Sequence, residues 1–110
     1  MATATYKILG QSAPNATTET DLYTVPASTE TIVSTINVAN RGSTSATFRI
    51  SASVNGAATA NKDYIAYDLT IGGNAIISFT LGMTLDATDK IRVYASTANL
   101  SFIAFGSEIA

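Results

Sequence analysis

The chain has 110 residues, enough for one domain with a single core. It contains neither cysteine nor histidine, which excludes a disulfide framework and a thiol nucleophile and removes the commonest general base and metal ligand. Charged residues make up 13% of the chain, about half the usual share, and the formal net charge of −2 excludes the basic footprint that neutralises phosphates.

The predicted elements follow a period of two almost throughout. Residues 5–10 place Tyr6 and Ile8 on one face, Lys7 and Leu9 on the other. Residues 20–25 offer Leu22 and Val25 and are closed by Pro26. Over 31–39, Ile32, Ile36 and Val38 are expected to share the inner face with Ser34, while Thr31, Thr35 and Asn37 face away. Asn40–Ser45 is a turn signal. The strand at 46–54 alternates most strictly, with Phe48, Ile50, Ala52 and Val54 predicted inside and Thr47, Arg49, Ser51 and Ser53 outside. A loop of small residues spans 55–62.

Over 63–71, Ile65, Tyr67, Leu69 and Ile71 are expected to face in, against Tyr64, Ala66 and Asp68. Gly72-Gly73-Asn74 forms a turn into 75–81, where Ile77, Phe79 and Leu81 are predicted inward, and 82–88 reads as an irregular connection. Residues 90–96 alternate again, with Ile91, Val93 and Ala95 in and Lys90, Arg92, Tyr94 and Ser96 out. The last segment, 99–109, is apolar on both faces: Leu100, Phe102 and Ala104 against Ile103 and Phe105. The expected fold is all-β: a single domain over residues 1–110, a two-sheet antiparallel β-sandwich of about eight strands, jelly-roll or Ig-like.

Little in this chain points to catalysis. Asp86 and Asp89 flank a strand start, where Asp commonly bonds backbone, and no loop carries the oxygen-ligand spacing of a calcium site. Serine and threonine are abundant, but the lysines stand in no S-x-x-K pattern that would activate them. Gly72-Gly73 is a turn, since no strand–loop–helix unit follows it. Tyr64 and Tyr94, on outward faces, could form a small platform for a sugar, or cover a sheet or an interface. No enzymatic activity, cofactor, metal, nucleic acid or membrane partner is therefore expected. The N-terminal MATATYKILG lacks the basic and apolar regions of a signal peptide, so the two N-x-S/T matches, at Asn15 and Asn99, are expected to be fortuitous.

The polar remainder is mostly Thr, Ser and Asn, which makes a neutral surface poorly protected against association. A strand of a two-layer sandwich has one inner face to offer, so the second apolar face of 99–109 needs a cover. The loop at 11–19 is one candidate. The other is a further subunit meeting Ile103 and Phe105, with Tyr94 on the neighbouring outward face. Tyr94, Ile103 and Phe105 are accordingly the predicted interface residues of a homo-oligomer.

The segments YKILGQSAP (6–14), TDLYTVPAST (20–29), STINVANRG (34–42), ATFRIS (46–51), ATDKIRVYAS (87–96) and NLSFIAFGSEI (99–109) resemble a group of small proteins encoded by tailed bacteriophages, cyanophages included. The likeness runs over nearly the whole chain. It implies a structural component of the virion, assembled in the host cytoplasm and present in many copies. Two positions suit it: a capsid cement or decoration protein against the major capsid protein, or a tail- or baseplate-associated adaptor. A receptor- or glycan-binding β-sandwich module is the remaining alternative. The resemblance carries no functional residues over to this chain.

Overall fold

A computed structural model describes residues 2–110. Nine strands form: β1 (Ala4–Ser12), β2 (Thr20–Thr24), β3 (Glu30–Asn40), β4 (Ala46–Ser53), β5 (Tyr64–Ile71), β6 (Ile76–Phe79), β7 (Met83–Leu85), β8 (Lys90–Ala95) and β9 (Leu100–Ile109). They build two antiparallel sheets. The five-stranded sheet runs β1-β9-β3-β6, with β7 also paired to β3, and the four-stranded sheet runs β2-β8-β4-β5. The β-sandwich expected from the alternation is therefore present, with one strand more than the expected eight. Residues 83–85, read as irregular, form β7, because Gly82 takes a positive φ of 64° that breaks the sixth strand in two.

The core lies between the sheets. Phe48 from β4 meets Phe79 and Phe102 edge-on, each at 6.0 Å between ring centroids, so aromatic contacts tie the two layers together. Ile50, Ile71, Ile91, Val93 and Leu100 are fully buried around them. The β8 alternation falls as predicted, with Ile91, Val93 and Ala95 inside, and so does that of Leu100, Phe102 and Ala104 on β9. The turn at 72–74 carries the chain from β5 in one sheet to β6 in the other. Asn40 secures it: its amide donates to the carbonyls of Thr44 and Gly72, and its side-chain oxygen accepts from the Gly42 N–H.

Several faces differ from the period-two expectation, and bulges explain most of them. In β3 the pairing with β9 slips between Val33 and Thr35, leaving Ser34 as an extra residue. Thr31 and Val33 face the core before the bulge, and Ile36 and Val38 after it, so Ile32 points outward instead of joining Ile36. In β1 a second slip falls between Ile8 and Gly10, also beside Phe105 of β9. In β5 two residues, Tyr67 and Asp68, oppose Arg49 alone, with Asp68 at φ 50°. Ala66 is consequently buried where Ile65 and Tyr67 were expected, and Tyr67 and Leu69 are exposed.

At the end of β4 the expected faces reverse. Val54, predicted inside, leaves the strand and is 76% exposed, while Ser51 and Ser53 are buried. Segment 54–63 forms two single-turn helices, Val54–Gly56 and Asn61–Asp63, and the Ser53 hydroxyl donates to Asp63. Leu81 lies past the end of β6 and is exposed. Of the 11–19 segment, Gln11 and Ser12 extend β1 alongside β9, opposite Ile103 and Phe102, and the Thr17 N–H donates to the Ala95 carbonyl of the other sheet.

Candidate functional site on the outer face of the five-stranded sheet

The alternation of three adjacent strands brings one set of apolar side chains to the outer surface. β1 presents Ala4, Tyr6 and Ile8, β9 presents Phe105, Ser107 and Ile109, and β3 presents Ile32 and Ser34. The register sets them in rows: Tyr6 is opposite Ser107, which is opposite Ile32, and Ile8 is opposite Phe105. The middle of the strongest row is a serine, next to Gly106, so the rows enclose an open hollow of about 750 Å³. Tyr6 is 85% exposed, and Ile8, Ile32 and Phe105 are all exposed large apolar residues. Among the described residues lining the hollow, Lys7 alone is charged.

The bulge in β3 makes this surface. Without Ser34 as an extra residue, Ile32 would share the core face of Ile36. Ser34 holds the bulge by donating its hydroxyl to the Phe105 carbonyl at 3.1 Å. Gly106 permits it, since a Cβ there would stand 2.0 Å from the Ile32 carbonyl oxygen.

Beneath one end of the hollow, a polar cluster joins the two sheets. The Tyr23 hydroxyl of β2 donates to Glu108 at 2.5 Å and lies 2.8 Å from the Thr31 hydroxyl, and Lys7 Nζ lies 3.1 Å from Glu108. The Tyr23 hydrogen bond and the Lys7 charge hold the Glu108 carboxyl below its ordinary range. Burial, reinforced by the bond to Glu108, pushes the Tyr23 hydroxyl up to about 12. This cluster is occupied by its own partners and anchors the ends of β1 and β9.

The structure separates the three predicted interface residues. Phe105 lines the hollow. Ile103 is half-buried on the same face, in the row of Gln11 and Asn37. Tyr94 lies on β8 of the other sheet, so it does not neighbour them as expected; strand order, which the sequence alone does not reveal, places β8 and β9 in different layers. Tyr94 has its own company: the Arg49 guanidinium sits 4.4 Å from its ring and 4.3 Å from that of Tyr67. Arg49 also pairs with Asp68 at 2.7 Å, which holds the guanidinium above its ordinary pKa. Tyr64 packs edge-on against Tyr67. The tyrosines weighed as a sugar platform thus form one cluster with Tyr67, but Arg49 lies against two of the ring faces.

Tyr6, Ile8, Ile32 and Ile109 are the companions of Phe105 that the sequence reading missed. The alternation of Tyr6 and Ile8 was visible, but it did not say which face turned outward. Asp86 and Asp89 do what their position at a strand start implies: Asp89 accepts from the backbone N–H of Asn55 at 2.8 Å and of Asp86 at 2.9 Å. Among the described residues no three acidic side chains cluster as metal ligands. Compared with known proteins, the chain matches no family model and no curated relative.

Proposed function

We propose that this chain is a non-enzymatic structural protein of a tailed-phage particle, a capsid cement or decoration protein that binds by many weak contacts. The observation that carries the reading is the outer face of the five-stranded sheet: apolar, almost uncharged and open around Phe105. A surface of this kind costs little to desolvate against a shell protein. Copies repeated over a particle add weak contacts through effective concentration.

The strand order supports reading the sandwich as a jelly-roll. If β6 and β7 count as one interrupted strand, the sheets read first-eighth-third-sixth and second-seventh-fourth-fifth. Two Greek keys folded together make that order, and jelly-rolls recur in viral capsid domains and in lectins. The lectin association keeps a glycan-binding module as the alternative, with the Tyr64–Tyr67–Tyr94 cluster as its aromatic surface.

Mass spectrometry of purified particles from the source phage tests the reading. The chain should be present in many copies, and separating heads from tails by sedimentation should find it on heads. Recovery with tails replaces cement by adaptor. Absence from particles overturns the proposal.

A further inference from the structure

Each sheet has two edges, and three of the four are blunted. β5 carries a bulge with Asp68 at positive φ. β2 has five residues, a register slip and β1 beside it, with Gly10 so close that a Cβ there would stand 2.1 Å from the Leu22 carbonyl oxygen. The β6–β7 edge is broken at Gly82. Such devices keep sheets from joining edge to edge. The fourth edge, Ala4–Ile8 of β1, is the least guarded: its pairing with β9 is regular up to the slip after Ile8, all five residues are exposed, and its one charge, Lys7, is paired with Glu108.

The free groups on this edge can be identified. Thr3 and Ala110 exchange both backbone hydrogen bonds. Antiparallel pairs alternate, so Thr5 and Lys7 also turn their N–H and C=O groups toward β9, while Ala4, Tyr6 and Ile8 turn theirs outward.

We propose that two copies of the chain join at Ala4–Ile8, antiparallel, about a two-fold axis at Tyr6. In that register Tyr6 pairs with Tyr6 of the second copy and Ala4 with its Ile8, and every outward N–H and C=O of these three residues finds a partner. On the outer face apolar side chains meet apolar ones. On the inner face Lys7, already paired with Glu108, stands opposite Thr5 of the second copy and not opposite another lysine. A two-fold closes the assembly, whereas head-to-tail pairing would continue into fibres. The joined sheet has five strands from each copy, and the two hollows lie on one continuous outer face. The pairing deepens the many-copy reading above by naming the surface between copies, and it rests on strand chemistry alone.

Sedimentation equilibrium from about 10 μM to about 1 mM reads the assembly across the range of a weak contact. The expected result is a concentration-dependent mass reaching two chains. Tyr6→Pro removes an outward N–H without touching the ladder to β9, so it should keep the β circular-dichroism spectrum and lower the mass to one chain. A wild-type chain that stays monomeric overturns the pairing, whatever the particle experiment finds. So does a dimer that survives Tyr6→Pro. Hydrogen exchange on the wild-type chain decides the matter without a variant, should Tyr6→Pro fail to fold. The amides of Ala4, Tyr6 and Ile8 should gain at least about tenfold protection between the dilute and the concentrated sample, while those of Thr5 and Lys7 are protected in both. Equal, fast exchange of the first three in a dimeric sample overturns the proposal.

Discussion

The outer faces of the two sheets are made of opposite materials. On the four-stranded sheet, charged side chains are turned to internal use. Arg92, its side chain 13% exposed, donates to the carbonyls of Gly56 and Ala57, to the hydroxyls of Ser53 and Thr59, and to Asp21. It thereby straps segment 54–63 over the sheet. Lys90 shares Asp21, and Arg49 is held by Asp68 and two tyrosines. On the five-stranded sheet no segment among the described residues straps Phe105, Ile8 and Ile32 in this way, and they share the hollow with Tyr6, Ile109, Ser34, Gly106 and Ser107. One face has segment 54–63 strapped over part of it, and the other keeps its apolar side chains open. The two faces thus differ less in the aromatics they contain than in whether those aromatics have local partners. Tyr94 and Phe105 are both aromatic and both point outward, and only Phe105 lines the uncovered hollow.

The largest test of this contrast is Arg92→Met, which keeps the aliphatic packing and removes the strap. It should lower stability by about 2–4 kcal/mol in urea unfolding, because buried Ser53 loses a partner and the loop carbonyls lose theirs. Hydrogen exchange should accelerate over residues 54–63 before the rest of the sheet. A variant as stable as wild type would show that the segment holds itself. Phe105→Ser should cost less, about 1 kcal/mol, because the ring is already 37% exposed. On the particle-protein reading proposed above, it should also weaken binding to particles. Normal binding would remove Phe105 from the contact surface.

The pH dependence probes the seam beneath the hollow. Glu108 has a folded pKa below its unfolded one, so its contribution is complete above the ordinary carboxylate range and is lost as pH falls through the folded value. Asp21, lowered first by its bond from Lys90, acts in the same direction on the other sheet. Tyr23 has the opposite sign: its raised pKa favours folding below its ordinary value of 10.0, and that contribution disappears as pH rises toward about 12. The melting temperature should therefore fall at both extremes, and Glu108→Gln should shallow the acid limb. An unchanged acid limb would assign the loss to Asp21 and the other carboxylates. The smallest effect is expected for Tyr94→Leu, which removes one face of the Arg49 sandwich and keeps the apolar cover. It should lower the melting temperature by a few degrees at most and, on the particle-protein reading proposed above, leave particle binding intact. Lost binding would move the contact surface to the four-stranded sheet.

Alternation is a local property, and where it runs unbroken it could be read directly. Phe48 and Ile50 in β4, all of β8, and the two apolar faces of β9 follow from side chains pointing alternately up and down a pleat. The all-β class and the two-layer arrangement follow from there, since one-sided apolar strands must bury that side. Bulges are not local in the same sense. Ser34 is an ordinary residue in a β-prone run, and only its hydrogen bond to Phe105 and the closeness of Gly106 make it the extra residue that turns Ile32 outward. The burial of Ser53 likewise needed Arg92, from β8, which donates to the Ser53 hydroxyl and holds segment 54–63 beside it. The second face of β9 was visibly apolar from residue types alone. That its companions are Tyr6, Ile8 and Ile32, and not Tyr94, was decided by strand order, because residues distant in sequence share a face only when their strands share a sheet.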